Sequence, residues 1–212
     1  MNMKVSSLLM AAAHVVGLLC APPAAAQPAR FASHHDYPSG YGPVSIAVGD
    51  IDGDGTPDLA VAHALDNSIG VLLGNPDGSF QAPRSIYLAP SDAIRSIAIG
   101  DFDLNGRIDL AFASSGSNSV AVRLGNGDGT FQPAAIVGAG VDPGSVVVND
   151  FNADGRPDLA IANAGSHDVS LALGNGNGTF QPVRTFPSGG AASFAVSADF
   201  NRDGRPDLAV AG

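Results

Sequence analysis

The chain has 212 residues, and its 20 acidic side chains, all aspartate, outnumber ten basic ones for a formal net charge of −10. That balance excludes a nucleic-acid binder, which needs clustered Lys and Arg against phosphate. A single cysteine excludes a disulfide scaffold, and 27 glycines with 15 prolines and no glutamate exclude a mainly helical protein, so an all-β class rich in turns is expected.

The N-terminus comes first. Lys4 is the only charge before Arg30, an apolar run extends from Leu8 to Leu19, and a small-residue stretch ends at Ala26. Residues 1–26 therefore read as a signal peptide cleaved after Ala26, and the run is too short to span a bilayer. Leu19 before Cys20 does not fit a lipid-attachment site. The mature chain is expected to have no cysteine, no lysine and no membrane span, and to be secreted or at the cell surface, extracellular or periplasmic.

The rest of the chain is a repeat. Asp50-Ile-Asp-Gly-Asp-Gly-Thr-Pro-Asp58-Leu-Ala returns as the segments starting at Asp101, Asp150 and Asp199, at steps of 51, 49 and 49 residues. A second motif, Leu73-Gly-Asn-Pro-Asp-Gly-Ser-Phe80-Gln, keeps the same register at Leu124 and Leu173. Each period reads as four strands. Strand A is the apolar run before the first Asp, such as Ser45 to Gly49. Strand B follows the last Asp, as in Leu59 to Ala62. Strand C is the run Ile69 to Leu73, Val120 to Leu124 or Val169 to Leu173. Asn-Gly and Asp-Gly turn chemistry follows, and strand D is expected from Phe80, Phe131 or Phe180. Four short strands per period of about 50 residues predict β-propeller blades at 44–94, 95–143 and 144–192, with 193–212 a partial one. Phe31 precedes Asp50 by 19 residues, the interval that separates Phe131 from Asp150. Within the N-terminal segment 27–43, residues 31–38 thus fill the slot of a D strand.

The aspartate motif has metal-ligand spacing. Oxygen-bearing side chains fall at loop positions 1, 3, 5 and 9, a glycine at position 6 permits the bend, and the carbonyl at position 7 adds a backbone oxygen; calcium takes six to eight such ligands. The candidate ligands are Asp50, Asp52, Asp54, Thr56 (carbonyl) and Asp58, then Asp101, Asp103, Asn105, Arg107 (carbonyl) and Asp109. The third set is Asp150, Asn152, Asp154, Arg156 (carbonyl) and Asp158, and the fourth is Asp199, Asn201, Asp203, Arg205 (carbonyl) and Asp207. One Ca²⁺ per loop, up to four, is expected. An EF-hand is rejected, because its position-12 glutamate is replaced by Val61, Phe112, Ile161 and Val210.

With these motifs the chain resembles the FG-GAP/VCBS-type repeats of integrin-α-like β-propellers, over nearly all of residues 31–212. The resemblance implies calcium loops between strands A and B and membership among adhesion ectodomains, bacterial surface proteins, lectins and accessory parts of secreted enzymes. Such propellers usually have seven blades, whereas this chain carries about three and a half. An incomplete propeller is therefore expected: three four-stranded blades and a two-stranded remnant in an open arc, either a truncated fragment or a partial assembly unit. No catalytic constellation emerges. His63 and His167 read as exposed residues of the B–C turns, and Ser33-His34-His35-Asp36 holds triad letters side by side, which is not how a triad is built. The expected function is a non-catalytic binding or adhesion scaffold for an extracellular protein or glycan. The alternative is a lectin-like or accessory carbohydrate-binding part of a larger secreted enzyme.

Overall fold

The computed structural model describes residues 35–89 and 92–212. The signal-peptide reading of residues 1–26 lies outside the described residues. The chain divides into two compact units, Met1–Asp36 and Tyr37–Gly212, and all described secondary structure belongs to the second. It is all β, and no helix of the described residues is long and apolar enough to cross a membrane.

The first blade is β1 (Pro43–Gly49), β2 (Asp58–His63), β3 (Ser68–Leu72) and β4 (Arg84–Tyr87), hydrogen-bonded in that order. The second is β5 (Ile94–Gly100), β6 (Asp109–Ser114), β7 (Ser119–Arg123) and β8 (Ala135–Ile136). The third is β9 (Pro143–Asn149), β10 (Asp158–Asn163), β11 (Asp168–Ala172) and β12 (Arg184–Pro187), and the last is the pair β13 (Phe194–Ala198) and β14 (Asp207–Ala211). Every pairing is antiparallel. Strand A of each blade packs beside strand A of the next, β1 on β5, β5 on β9 and β9 on β13. Among the described residues no sheet closes the series, so the expected incomplete propeller is what forms.

Strand D starts later than expected. Phe80, Phe131 and Phe180 form isolated bridges to Gly74, Gly125 and Gly174, and regular pairing resumes only at Arg84, Ala135 and Arg184. Pro83, Pro133 and Pro182 lie in the gap, and a proline has no N–H to give to a ladder. Described residues 35–38, the latter part of the proposed N-terminal D slot, carry no strand, and among the described residues β14 pairs with β13.

The blades meet through unlike faces. Strand B reads Asp-Leu-Ala-Val-Ala in the first blade, with Phe or Ile in place of the Val in the next two. Period-two alternation puts the alanines on one face and the large residues on the other. Ala60 and Ala62, with Ile69, Val71 and Leu73 of the first blade, pack against Ile97, Leu110 and Phe112 of the second. Ala111 and Ala113, with Val120 and Val122, repeat this against Val146, Leu159 and Ile161 of the third. The small face thus always receives the large face of the following blade. Both faces of β6 and β10 are covered, which is why they are buried along their whole length.

The glycine of each Leu-Gly-Asn motif is also fixed by packing. A Cβ on Gly125 would lie 2.1 Å from the carbonyl oxygen of Ile108, and one on Gly74 2.3 Å from that of Pro57. Backbone cannot yield as a side chain can. Gly125→Ala is therefore expected to cost about 1–3 kcal/mol. Gly190→Ala, where nothing stands within 4 Å, should change stability by no more than about 0.5 kcal/mol. Urea midpoints of the two variants check the contrast.

Candidate metal centre

Each aspartate loop joins strand A to strand B and folds on its own short side chains. The position-1 carboxylate accepts the N–H of the position-6 glycine: Asp50 from Gly55 at 3.0 Å, Asp101 from Gly106 at 2.8 Å, Asp150 from Gly155 at 2.7 Å and Asp199 from Gly204 at 2.9 Å. The position-5 oxygen accepts the N–H of position 7, from Thr56, Arg107, Arg156 and Arg205 at 2.7–3.0 Å. Aspartate and asparagine reach neighbouring amides in this way. The glycines at position 6 take φ of +80° to +86°. Position 4 is left-handed too, and there the sequence gives no warning: Gly53 is followed by Leu104, Ala153 and Arg202, with φ of 58°, 60° and 65°. A non-glycine residue held there costs roughly 1 kcal/mol or more, which the loop's hydrogen bonds offset.

The carboxylates converge. One oxygen each from Asp50, Asp52 and Asp58 lies within 4.8 Å of the others, and Asp101, Asp103 and Asp109 do the same. Position 9, however, has a second task that spacing does not reveal. Asp58, Asp109 and Asp158 are fully buried. One oxygen of Asp58 accepts from Ile51 N–H at 2.7 Å inside the loop, and the other accepts from Gly74 N–H at 2.7 Å across the blade. Asp109 bonds Phe102 and Gly125, and Asp158 bonds Phe151 and Gly174, at 2.7–2.9 Å. In the remnant blade Asp207 keeps only the loop half, to Phe200 N–H at 3.0 Å.

The donor set suits a hard cation. The candidate ligand atoms at positions 1, 3, 5 and 9 are oxygens, and one oxygen of Asp103 is buried without a hydrogen-bond partner. Calcium takes such ligands. The loops differ in how they handle their own charge. In the last three, a side-chain amide bridges positions 3 and 5: Asn105 to Asp103 at 2.8 Å, Asn152 to Asp154 at 3.0 Å and Asn201 to Asp203 at 3.1 Å. The first loop has Asp52 and Asp54 there instead. Burial pushes the Asp52 carboxyl above its ordinary value, helped by the charges of Asp58, Asp54 and Asp50 and opposed by the Asp54 N–H. Burial likewise raises Asp109 and Asp158 against the pull of the amides they bind. At the hairpin turns the direction reverses: the Ser79 and Thr130 hydroxyls hold Asp77 and Asp128 below the usual range.

The four position-7 residues enter through their N–H groups, and the Arg107, Arg156 and Arg205 side chains are not needed for loop closure. His63 is not an exposed turn residue. It ends β2, fully buried, with Nε2 3.0 Å from Ser39 Oγ and Nδ1 3.3 Å from Ser68 Oγ. Ser68 gives its proton to Asp66 at 2.8 Å, so its oxygen is left to accept from His63 Nδ1–H. Asn163 holds the equivalent place in the third blade, also fully buried and bonded to Asp168, Ser170 and the Gly140 N–H. An amide serves there as well as an imidazole, which marks the position as a clasp on the preceding connection. His167 is exposed, as expected.

The model for an FG-GAP-like repeat matches the chain three times, over residues 50–112, 101–161 and 150–210. Among solved structures the chain is similar to BBS1N in complex with ARL6DN, at 14% identity and a TM-score of 0.59, covering 82% of this chain and 53% of that one. It is also similar to an Agrocybe aegerita lectin with specific recognition of non-reducing terminal N-acetylglucosamine, at 23% identity and a TM-score of 0.53, covering 76% and 44%. The chain spans about half the length of these two, and the likeness shows the fold. None of the curated proteins matches it.

The two tasks of the loop carboxylates separate in metal-free protein. An amide at position 9 offers one oxygen where two N–H donors on opposite sides need acceptors. Asp58→Asn is expected to destabilise the metal-free chain by about 1–3 kcal/mol. Asp54→Asn, which removes a charge beside Asp52, should leave it as stable or more so. Urea unfolding in a calcium-free buffer decides, and equal losses would show that position 9 is a ligand and nothing more.

Proposed function

The chain belongs to the FG-GAP-like repeat family, and from that premise we propose that it is an exported, calcium-loaded β-propeller scaffold that binds an extracellular protein or glycan and performs no chemistry. The observation that carries this reading is the aspartate loop repeated at the equivalent end of every blade, with carboxylates converging in the first two. Recurrence by repeat is how structural ions are held, whereas an active site is single. The apolar stretch Leu8–Leu19 and the small residues to Ala26 support export. The lectin among the similar structures supports a glycan as one class of partner. A glycan array probed with the calcium-loaded chain, with and without a chelator, tests that class; calcium-independent binding would count against the loops organising the partner surface.

Calcium carries a large share of the stability. Extracellular calcium modules bind at roughly 10⁻⁴–10⁻³ M. At about ten times the Kd each site adds roughly 1.4 kcal/mol by mass action, so four sites add on the order of 5–6 kcal/mol, comparable with the whole stability of many domains. Added calcium should raise the Tm by about 10–20 °C, and an unmoved Tm in EGTA would sink the calcium assignment. The effect is tied to pH. Asp52, Asp109 and Asp158 have raised folded values, so their contribution to the metal-free fold is fully present below the unfolded value of 3.8 and is lost as pH rises through the folded one. At neutral pH the metal-free loops carry a penalty that the ion removes. The calcium-dependent rise in Tm should therefore shrink as pH is lowered through the raised range.

The first loop should bind most tightly, with four carboxylates and no bridging amide. Asp52→Asn is expected to weaken calcium binding more than Asn152→Ala does. Calorimetric titration of both variants settles it, and reversed losses would argue that loop closure outweighs ligand charge.

A further inference from the structure

The second blade departs from its neighbours at two positions, and both line one cavity. Leu72, Arg123 and Ala172 hold the same place on strand C, each paired across the sheet with the first leucine of strand B, Leu59, Leu110 or Leu159. Leu72 and Ala172 are buried there. Arg123 puts a guanidinium at that place. Its Nη1 donates to the Gln132 carbonyl at 3.1 Å, its Nε is buried with no hydrogen-bond partner, and it makes no ion pair among the described residues. An apolar side chain packs here in the other two blades, so desolvating a cation is a cost that packing does not require. The second departure is at the end of strand B. His63 and Asn163 clasp the preceding connection there, and the second blade has Ser114 instead. A hydroxymethyl group fills much less space than an imidazole or a carboxamide. The cavity that Ser114 and Arg123 line has a volume of about 170 Å³ and lies between the first and second blades, both complete with four strands.

We propose that this cavity binds one uronate unit of an acidic glycan, with Arg123 recognising the carboxylate. The proposal rests on the glycan reading above and names the kind of sugar. A guanidinium offers its Nε and Nη hydrogens in a fork that matches a carboxylate, and such charge-assisted pairs are the strong ones. Ser114, Ser117 and Ser119 bring three hydroxyls to the wall, each able to donate to or accept from a sugar hydroxyl. Ser117 and Ser119 also bond each other at 2.9 Å, which fixes their direction. Phe112 and Tyr87 give apolar surface for the C–H face of a pyranose. Asp92 lines the cavity too, with one oxygen accepting the Ala89 N–H at 3.0 Å. Its charge tolerates a unit with one anionic group beside Arg123 and opposes a unit with two. The volume is below the roughly 300–1,000 Å³ of sites for drug-sized ligands, which suits one sugar unit with the rest of the glycan outside. An acidic peptide side chain would satisfy Arg123 and leave the serine hydroxyls unused. The net charge of −10 gives an anion no long-range attraction, so recognition acts at contact, where salt screens least.

The test is titration of the calcium-loaded chain with glucuronate, glucose and cyclohexanecarboxylate, followed by NMR shifts in about 0.15 M salt. Glucuronate should bind about tenfold more tightly, or better, than glucose, which lacks the carboxylate, and than cyclohexanecarboxylate, which lacks the hydroxyls. Arg123→Leu installs the residue of the first blade and should abolish the preference for glucuronate over glucose. Arg123→Lys keeps the charge without the fork and should reduce that preference without abolishing it. If Arg123→Leu loses the wild-type circular dichroism, Arg123→Lys alone decides. Glucuronate that binds the wild-type chain no better than glucose overturns the proposal. So does a preference that survives unchanged in the arginine variants. Cyclohexanecarboxylate binding as tightly as glucuronate also overturns it, and would point to the acidic side chain of a protein partner. On a glycan array, neutral glycans bound without uronates would sink this proposal alone, whereas no glycan bound at all would sink the glycan reading with it.

Discussion

The buried carboxylate that closes each aspartate loop is the bond on which the blade depends. Asp58, Asp109 and Asp158 each hold a loop amide with one oxygen and the amide of a distant glycine, 16 residues on, with the other. Desolvating a carboxylate is costly unless its oxygens find donors, and here both do. The pair of bonds ties the start of strand B to the end of strand C. It also explains why two separate motifs share one period. The glycine of Leu-Gly-Asn must bring its N–H close to the carboxylate, and the carbonyl of Pro57, Ile108 or Pro157 stands where a Cβ would be. A longer acid would overshoot both amides.

Positions 1, 3 and 5 face outward from this anchor and carry the remaining charge. Their oxygens fold the loop by accepting neighbouring N–H groups, yet like charges are left within reach of one another, as in the trio Asp50, Asp52 and Asp58. Three loops relieve part of this with an asparagine amide, and the first does not. Left-handed residues at position 4 add strain. A divalent cation suits this arrangement because it converts mutual repulsion into shared coordination. In a fold whose single cysteine is Cys20, such an ion is also the available cross-link between strands A and B.

Packing between blades adds a direction to the structure. Each sheet offers alanines on one side of strand B and Leu with Val, Ile or Phe on the other, so neighbours interlock only in one order. Polar links follow the same order, as where Arg84 of the first blade donates to the Asp128 carbonyl of the second at 2.8 Å. The aspartate loops therefore recur at the same end of each successive blade, between strands A and B. That is a suitable platform for a partner, because the loops are set by the scaffold and not by the ligand.

The repeat period, the four-strand blade, the metal-ligand spacing and the two-stranded remnant were legible in the sequence. Each of these is local: a turn residue, an alternation or a spacing acts within a few positions. What the tertiary structure decided are contacts across distance. Strand D begins at Arg84 and not at Phe80, because Phe80 is drawn back to Gly74 and Pro83 interrupts the ladder. Leu104, Ala153 and Arg202 are left-handed because the loop's hydrogen bonds hold them there, against their own preference. His63 is buried because Ser39 and Ser68 close on it from both sides. Asp58 has the spacing of a ligand, but only the approach of Gly74 makes it a buried anchor as well.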